Sequence, residues 1–268
     1  MCTLIFGDSF ARKFTLTKNN NIKVWGFSGA TMKGLSREND TSKKIREHVA
    51  RNKKKLKCLI FSFGQVDLHH SYYYVKFHKK EKKFNTKKIV NGYLKFIRSL
   101  DVEKNTQIIV LSVYPSALET KYIYASLVAY EILTDEDFSG TKKATLKRNA
   151  QLKARVKRQT QCNTFIKKGC KDDIAYIDIT PDITDEDGSL NEKFKDPGII
   201  NIHVRWEPTL PVLIKEINKI NKCQMDTNFL LKLHKTDKAY MAAKKKLVKE
   251  RVKNRFDKKL VDLEKYFI

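Results

Sequence analysis

The sequence predicts an α/β protein whose core is a parallel five-stranded sheet with helices on both faces. Three observations predict it. Apolar runs alternate with stretches of helical periodicity over residues 1–220, most of the runs end in Gly, Ser or Pro, and residues 56–63 are apolar without alternation, as a strand covered on both faces must be. The composition of the 268 residues, 41% hydrophobic and 10% aromatic, allows a sizeable core and excludes intrinsic disorder even though 32% of the residues are charged. That length suits one α/β domain, 1–220, followed by an extension, 221–268.

The elements follow in order. The first strand covers residues 2–6 and stops at Gly7-Asp8-Ser9, and the second covers 22–27 and stops at Ser28-Gly29-Ala30-Thr31. A helix over about 42–52 leads to the apolar strand 56–63, which Gly64 ends. Residues 86–100 carry Ile89, Val90, Tyr93, Leu94 and Ile97 at helical spacing. They precede a strand over 107–113 that Pro115 terminates. Residues 141–161 read as one long basic helix, followed by a strand over 174–179, a polar turn at Asp187-Gly188 and a helix over about 208–220. Sheets of this kind bind ligands beyond the carboxyl ends of the strands, where the Gly- and Ser-bearing loops converge.

Beyond Cys223 the strand signal ends. Residues 221–268 hold 14 Lys and Arg against 6 Asp and Glu, with Leu247, Val248, Val252, Phe256, Leu260 and Leu263 on one stripe of an amphipathic helix. The whole chain carries 55 Lys and Arg against 30 Asp and Glu, a net charge of +25. This excess points to solvated basic surfaces or a polyanion partner, nucleic acid or a large assembly, met by helix 141–161 and the tail. Only 11 of the basic residues are Arg, the side chain with the fork that bidentate phosphate and base recognition uses. No apolar run reaches the length of a membrane span, and no signal peptide precedes the first strand, so no membrane partner is expected. Five scattered cysteines with no C-x-x-C spacing predict free thiols in an intracellular, reducing compartment, the cytoplasm.

Ser9, at the tip of the first strand, is the candidate nucleophile. A serine hydroxyl is too weakly acidic to attack an ester unaided, so a base and an oxyanion hole must stand beside it. The base is expected to be His203, on the loop ahead of the last helix. The oxyanion donors are the backbone N–H groups at Ser9 and Gly29, with Gly64 as the third wall. Asp67, His69, His70, Tyr72 and Gln65 lie on the same edge and are candidates for lining a substrate pocket. Asp67 and His69 lack a third ligand, so neither a metal nor a cofactor is expected.

Gly-Asp-Ser after the first strand, a glycine loop after the second, Gly64-Gln65-Val66-Asp67 after the third and a late histidine resemble the SGNH, or GDSL, hydrolases over about residues 1–220. The resemblance implies a three-layer α/β/α fold similar to flavodoxin, no metal, and hydrolysis or transfer of acyl groups, an acetylated glycan among the substrates. It also implies that Ser9 is the nucleophile, Gly29 an oxyanion donor and His203 the base. Two positions depart from the pattern. Val66 stands where the family has an oxyanion-binding Asn. Ile200 stands where it has the Asp that orients the histidine, leaving Asn201, Asp196 or Glu207 to do so. These departures define the rival reading: an SGNH scaffold with impaired catalysis that binds nucleic acid or an assembly through its basic helices.

Overall fold

The computed structural model describes residues 2–17, 21–79, 83–198, 200–220, 223–225, 238–239 and 241–242. Five parallel strands lie in the order β2-β1-β3-β4-β5: β1 Cys2–Gly7, β2 Ile22–Gly26, β3 Leu56–Ser62, β4 Gln107–Leu111 and β5 Ala175–Ile177. The order reverses between β1 and β3, so the loops after these two strands diverge and open the crevice in which such sheets hold ligands. β4 and β5 are shorter than their apolar runs, because Ser112 and Val113 beyond β4, and Asp178 and Ile179 beyond β5, already belong to loops.

Alternation within the strands sorts the core into two layers. Leu4, Phe6, Leu59, Phe61, Ile108 and Val110 pack on one face with Met32 and Leu35 of α1 (Met32–Leu35), Ile45 and Val49 of α2 (Asp40–Asn52), Val90 and Leu94 of α4 (Thr86–Arg98), and Cys162 and Ile166 of α7 (Leu152–Gly169). Ile5, Cys58, Ile60, Ile109 and Leu111 pack on the other, with Tyr73 and Phe77 of α3 (Tyr72–His78), Ile123 and Leu127 of α5 (Ile123–Ala129), Leu146 of α6 (Gly140–Ala150), Ile183 of α8 (Thr180–Ile183), and Leu213 and Ile217 of α9 (Trp206–Asn218). Because successive strand residues point to opposite faces, a sheet buried on both sides must be apolar at every position, which is how residues 56–63 read. The result is the expected three-layer α/β/α arrangement.

Two expectations need correction. The basic stretch over 141–161 is broken into α6 and α7 at Gln151, whose backbone is extended (ψ 142°). The carbonyls released at the break are taken by arginine side chains: Arg155 Nε donates to Ala150 O at 2.9 Å and Arg158 Nη1 to Asn149 O at 3.0 Å. The cysteines are not all free. Cys58 on β3 and Cys223 after α9, both buried, form a disulfide, while Cys2, Cys162 and Cys170 remain thiols. That bond stands against a reducing compartment, where disulfides are rarely kept. No helix among the described residues is long and apolar enough to cross a membrane. The amphipathic stripe of the extension, 247–263, lies outside the described residues.

Candidate active site

β1 ends at Gly7, and the chain turns at once into a 3-10 helix, Ser9–Leu16, capped by Asp8, whose carboxylate accepts from Phe10 N at 3.0 Å. Ser9 is thus the first helical residue after β1, with its hydroxyl at the crevice. From the opposite end of the domain the loop before α9 brings His203. Ser9 Oγ and His203 Nε2 are 2.7 Å apart, although 194 residues separate them.

The tautomer of His203 follows from its neighbour. Asn201 Oδ1 accepts from His203 N at 3.0 Å, and since a backbone N–H only donates, this atom is the amide oxygen. The same oxygen lies 2.6 Å from His203 Nδ1. Nδ1 therefore carries the proton, and Nε2 presents its lone pair to the Ser9 hydroxyl. Asn201, one of the three candidate residues, holds the ring in this way. Asp196 Oδ1 accepts from Gly198 N, and Glu207 pairs with Arg205 at 3.0 Å. The ring of Phe10 stacks on the imidazole, with centroids 4.4 Å apart.

Beneath the serine lies a buried pair of opposite charges. Asp8 accepts from Phe10 N and from Gln65 N (3.2 Å), tying the loop after β1 to the loop after β3, and burial raises its carboxyl to about 7. Lys13 is fully buried, donates to Phe10 O at 2.8 Å and sits 4.7 Å from the centre of the Tyr114 ring; burial lowers its amine to about 7. Both shifts have the same origin, since each charge has left water for a site that solvates it poorly.

The predicted oxyanion residues part company. Gly29 is exposed at a left-handed φ of 72°, with open space around it, and Arg12 ties the loop down through Gly26 O and the Ser28 hydroxyl. Asp67 reaches the same loop from below: it accepts from Met32 N at 2.7 Å and Lys33 N at 3.3 Å at the start of α1, and burial raises its carboxyl to about 6. Gly64 is buried against Val113 and Met32, and its carbonyl accepts from Leu68 N. Val66 brings no hydrogen-bonding side chain.

Of the five residues expected to line a pocket, His69 faces two depressions beside the β4 loop. Gln65 is buried and gives its side-chain oxygen to Tyr114 N; Asp67 is the helix cap just described; His70 packs on the ring of Tyr130; and Tyr72 donates to Asn149 Oδ1 under the Arg158 guanidinium. The reason is local. Residues 67–71 form a π-helical turn that runs into α3, so these side chains point around a helix instead of along a loop at the crevice. Phe10, Arg12 and Lys13 went unread in the sequence because the first strand leaves no periodic helical signal behind it.

No family model matches the chain, and no curated protein matches it. Solved structures similar to it include a protein from Streptococcus pneumonia whose name refers to platelet activating factor (13% identity, 81% of this chain and 82% of that one, TM-score 0.49). A GDSL-like lipase from Bacteroides thetaiotaomicron VPI-5482 is similar over 81% of this chain and 85% of its own (13% identity, TM-score 0.48). An extracellular lipase from Streptomyces rimosus is similar over 81% of this chain and 99% of its own (12% identity, TM-score 0.40).

Proposed function

We propose that this protein is a serine-dependent ester hydrolase or acyltransferase acting on O-acyl groups, with acetylated glycans among its substrates. The observation that carries the reading is the 2.7 Å contact between Ser9 Oγ and His203 Nε2. As Ser9 Oγ attacks the acyl carbon, its proton passes to Nε2, and the carbonyl π electrons move to oxygen. The oxyanion is received by the backbone N–H groups of Ser9 and Gly29, with Gly64 forming the third wall. Collapse of the tetrahedral species expels the alkoxide, which takes the proton from Nε2 and leaves an acyl-enzyme. Water or a second alcohol then repeats the steps in reverse. Asn201 orients the imidazole throughout, but a neutral amide stabilises imidazolium less than a carboxylate does, and Val66 supplies no third donor. One missing donor costs ~10²–10³ in rate, so the activity is expected to be slow.

The test is labelling by a fluorophosphonate probe. Wild type is expected to label at Ser9, with Ser9→Ala unlabelled and His203→Ala labelled much more slowly. A wild-type chain that fails to react while correctly folded overturns the reading. It would favour the alternative that the loss of the third donor at Val66 suggests, a binding protein that uses its basic surface.

A further inference from the structure

Two depressions beside the carboxyl end of β4 share three residues, His69, Ser116 and Arg155. The larger, about 300 Å³ of non-protein space with its open mouth included, is also lined by Arg158 and by Leu152 in the first turn of α7. Both guanidiniums are partly spent on the corner between α6 and α7. Arg155 donates through Nε to Ala150 O and through Nη2 to Thr120 Oγ1 (3.5 Å), and Arg158 through Nη1 to Asn149 O and through Nη2 to Tyr73 Oη (3.1 Å). What remains includes the N–H groups of Arg155 Nη1 and the Arg158 Nε–H, and the latter is buried with no hydrogen-bond partner. An orphaned buried donor on a cation is costly unless something meets it.

The charges here are of one sign. No carboxylate among the described residues pairs with either arginine, and the groups that depress the His69 imidazole, to about 3, are burial itself and then His70, Arg155 and Arg158. Arg155 is likewise pushed down by burial, with the Tyr73 phenol offsetting part of this, Arg158 adding to it, and no carboxylate contributing. One further feature adds a donor: the Ser116 hydroxyl accepts from Leu118 N while keeping its own proton to give. Two guanidiniums and a hydroxyl make up a donor set that recognises a compact oxyanion, and His69, whose Nε2 already faces Tyr114 O at 3.3 Å, joins it on gaining a proton at Nδ1.

We propose that this depression is a binding site for a small oxyanion, a phosphate or carboxylate group, clamped between Arg155 and Arg158 and completed by Ser116 and His69. It adjoins the catalytic loop: Ala117, next to Ser116, donates to Ile202 O, one residue before His203. The assignment does not depend on Ser9 being a nucleophile.

The test is calorimetric titration of the full chain with inorganic phosphate and, separately, acetate at low salt, with the His69 imidazole followed by NMR. Saturable binding of one of the two is expected, and which one saturates names the source of the anion. Arg155→Gln should weaken it by about tenfold or more, and Arg155→Lys, which keeps the charge without the fork, by less. Lys153→Gln, on the exposed side of the same helix, should change it less than about twofold, the scale of a screened surface charge. His69 should gain a proton as the anion binds, moving its ring resonances. Absence of saturable binding by both anions overturns the proposal. So does an equal loss in Lys153→Gln and Arg155→Gln, which would mean diffuse basicity, and so does a His69 signal indifferent to the anion.

Discussion

Asn201 and His203 are joined by one atom: the amide oxygen of Asn201 accepts both from the backbone N–H of His203, at 3.0 Å, and from its ring Nδ1–H, at 2.6 Å. The backbone bond fixes the amide, the amide fixes the tautomer, and the tautomer turns a lone pair toward Ser9. The orienting group is thus a neutral amide two residues before the histidine, whereas the pattern that the sequence resembles has an Asp three residues before it.

Restoring that charge should raise reactivity. In Asn201→Asp the carboxylate keeps both contacts and in addition stabilises the imidazolium formed as Ser9 gives up its proton. The fluorophosphonate labelling rate is expected to rise by about tenfold or more, while Asn201→Ala, which frees the ring to adopt either tautomer, should lower it by a similar factor. Equal rates for wild type, Asn201→Asp and Asn201→Ala would show that Asn201 does not orient the base.

The buried lysine gives stability a pH signature with a definite sign. Lys13 titrates near 7 in the folded protein but at its ordinary 10.5 once unfolded. Between pH 7 and 9 the unfolded chain therefore binds more protons, and stability rises with pH by up to about 1.4 kcal/mol per unit. Asp8 acts in the opposite direction and lower down. Held near 7 when folded against 3.8 when unfolded, it makes stability fall as pH rises from about 4 to 7. Asp67 adds to this fall up to about 6, while His69, held near 3, opposes it below 6.5. From about pH 8 upward the Cys162 and Cys170 thiols, which burial keeps protonated in the folded protein, oppose the rise, so the interval from 7 to 8 is the one in which Lys13 dominates. Urea denaturation between pH 7 and 8 should show the rise in wild type and no rise in Lys13→Met; an upward slope that survives the substitution would clear Lys13 of any part in it.

The five strands were legible because each leaves a run of apolar residues that only a doubly covered sheet accommodates, and the pairing of Ser9 with His203 was legible because one ends the first strand and the other lies on the loop ahead of the last helix, at the same edge. Less visible was anything that depends on a single backbone angle. Gln151 splits a stretch whose periodicity runs on unbroken, and residues 67–71 coil where a loop was expected. The bond between Cys58 and Cys223 was hidden for another reason. It spans 165 residues, and no spacing rule reaches so far. Arg155 and Arg158 had a signal that went unused: with only 11 arginines among 55 basic residues, two of them three residues apart on one helix are unlike the lysines around them.

The disulfide should contribute heavily to stability. Both cysteines are buried, and the bond ties β3 to the segment after α9, closing a long loop in the unfolded chain. Such a constraint is worth about 2–5 kcal/mol. Cys223→Ser is expected to lower the stability measured in urea by that amount, and a reducing agent should do the same to wild type while leaving Cys223→Ser unmoved. Wild type that keeps its denaturation midpoint after full reduction would contradict this.

Gly64 carries a separate structural demand. Its φ is 119°, a conformation that side-chain-bearing residues rarely adopt, and an added Cβ would stand 2.6 Å from Val113 Cγ2 and 3.0 Å from the Met32 methyl. Val113 is rigid at χ1 and fully buried, so it has little room to retreat. Backbone strain and overpacking each cost about 1–3 kcal/mol, and Gly64→Ala should therefore lose about 2–4 kcal/mol. Gly29→Ala provides the contrast. It has a positive φ but nothing near its Cβ, so only the strain should register, about 1 kcal/mol for a left-handed residue. Thermal or urea unfolding of the two variants distinguishes these costs. If Gly64→Ala proved no worse than Gly29→Ala, close packing against Val113 could not be what excludes a side chain at position 64.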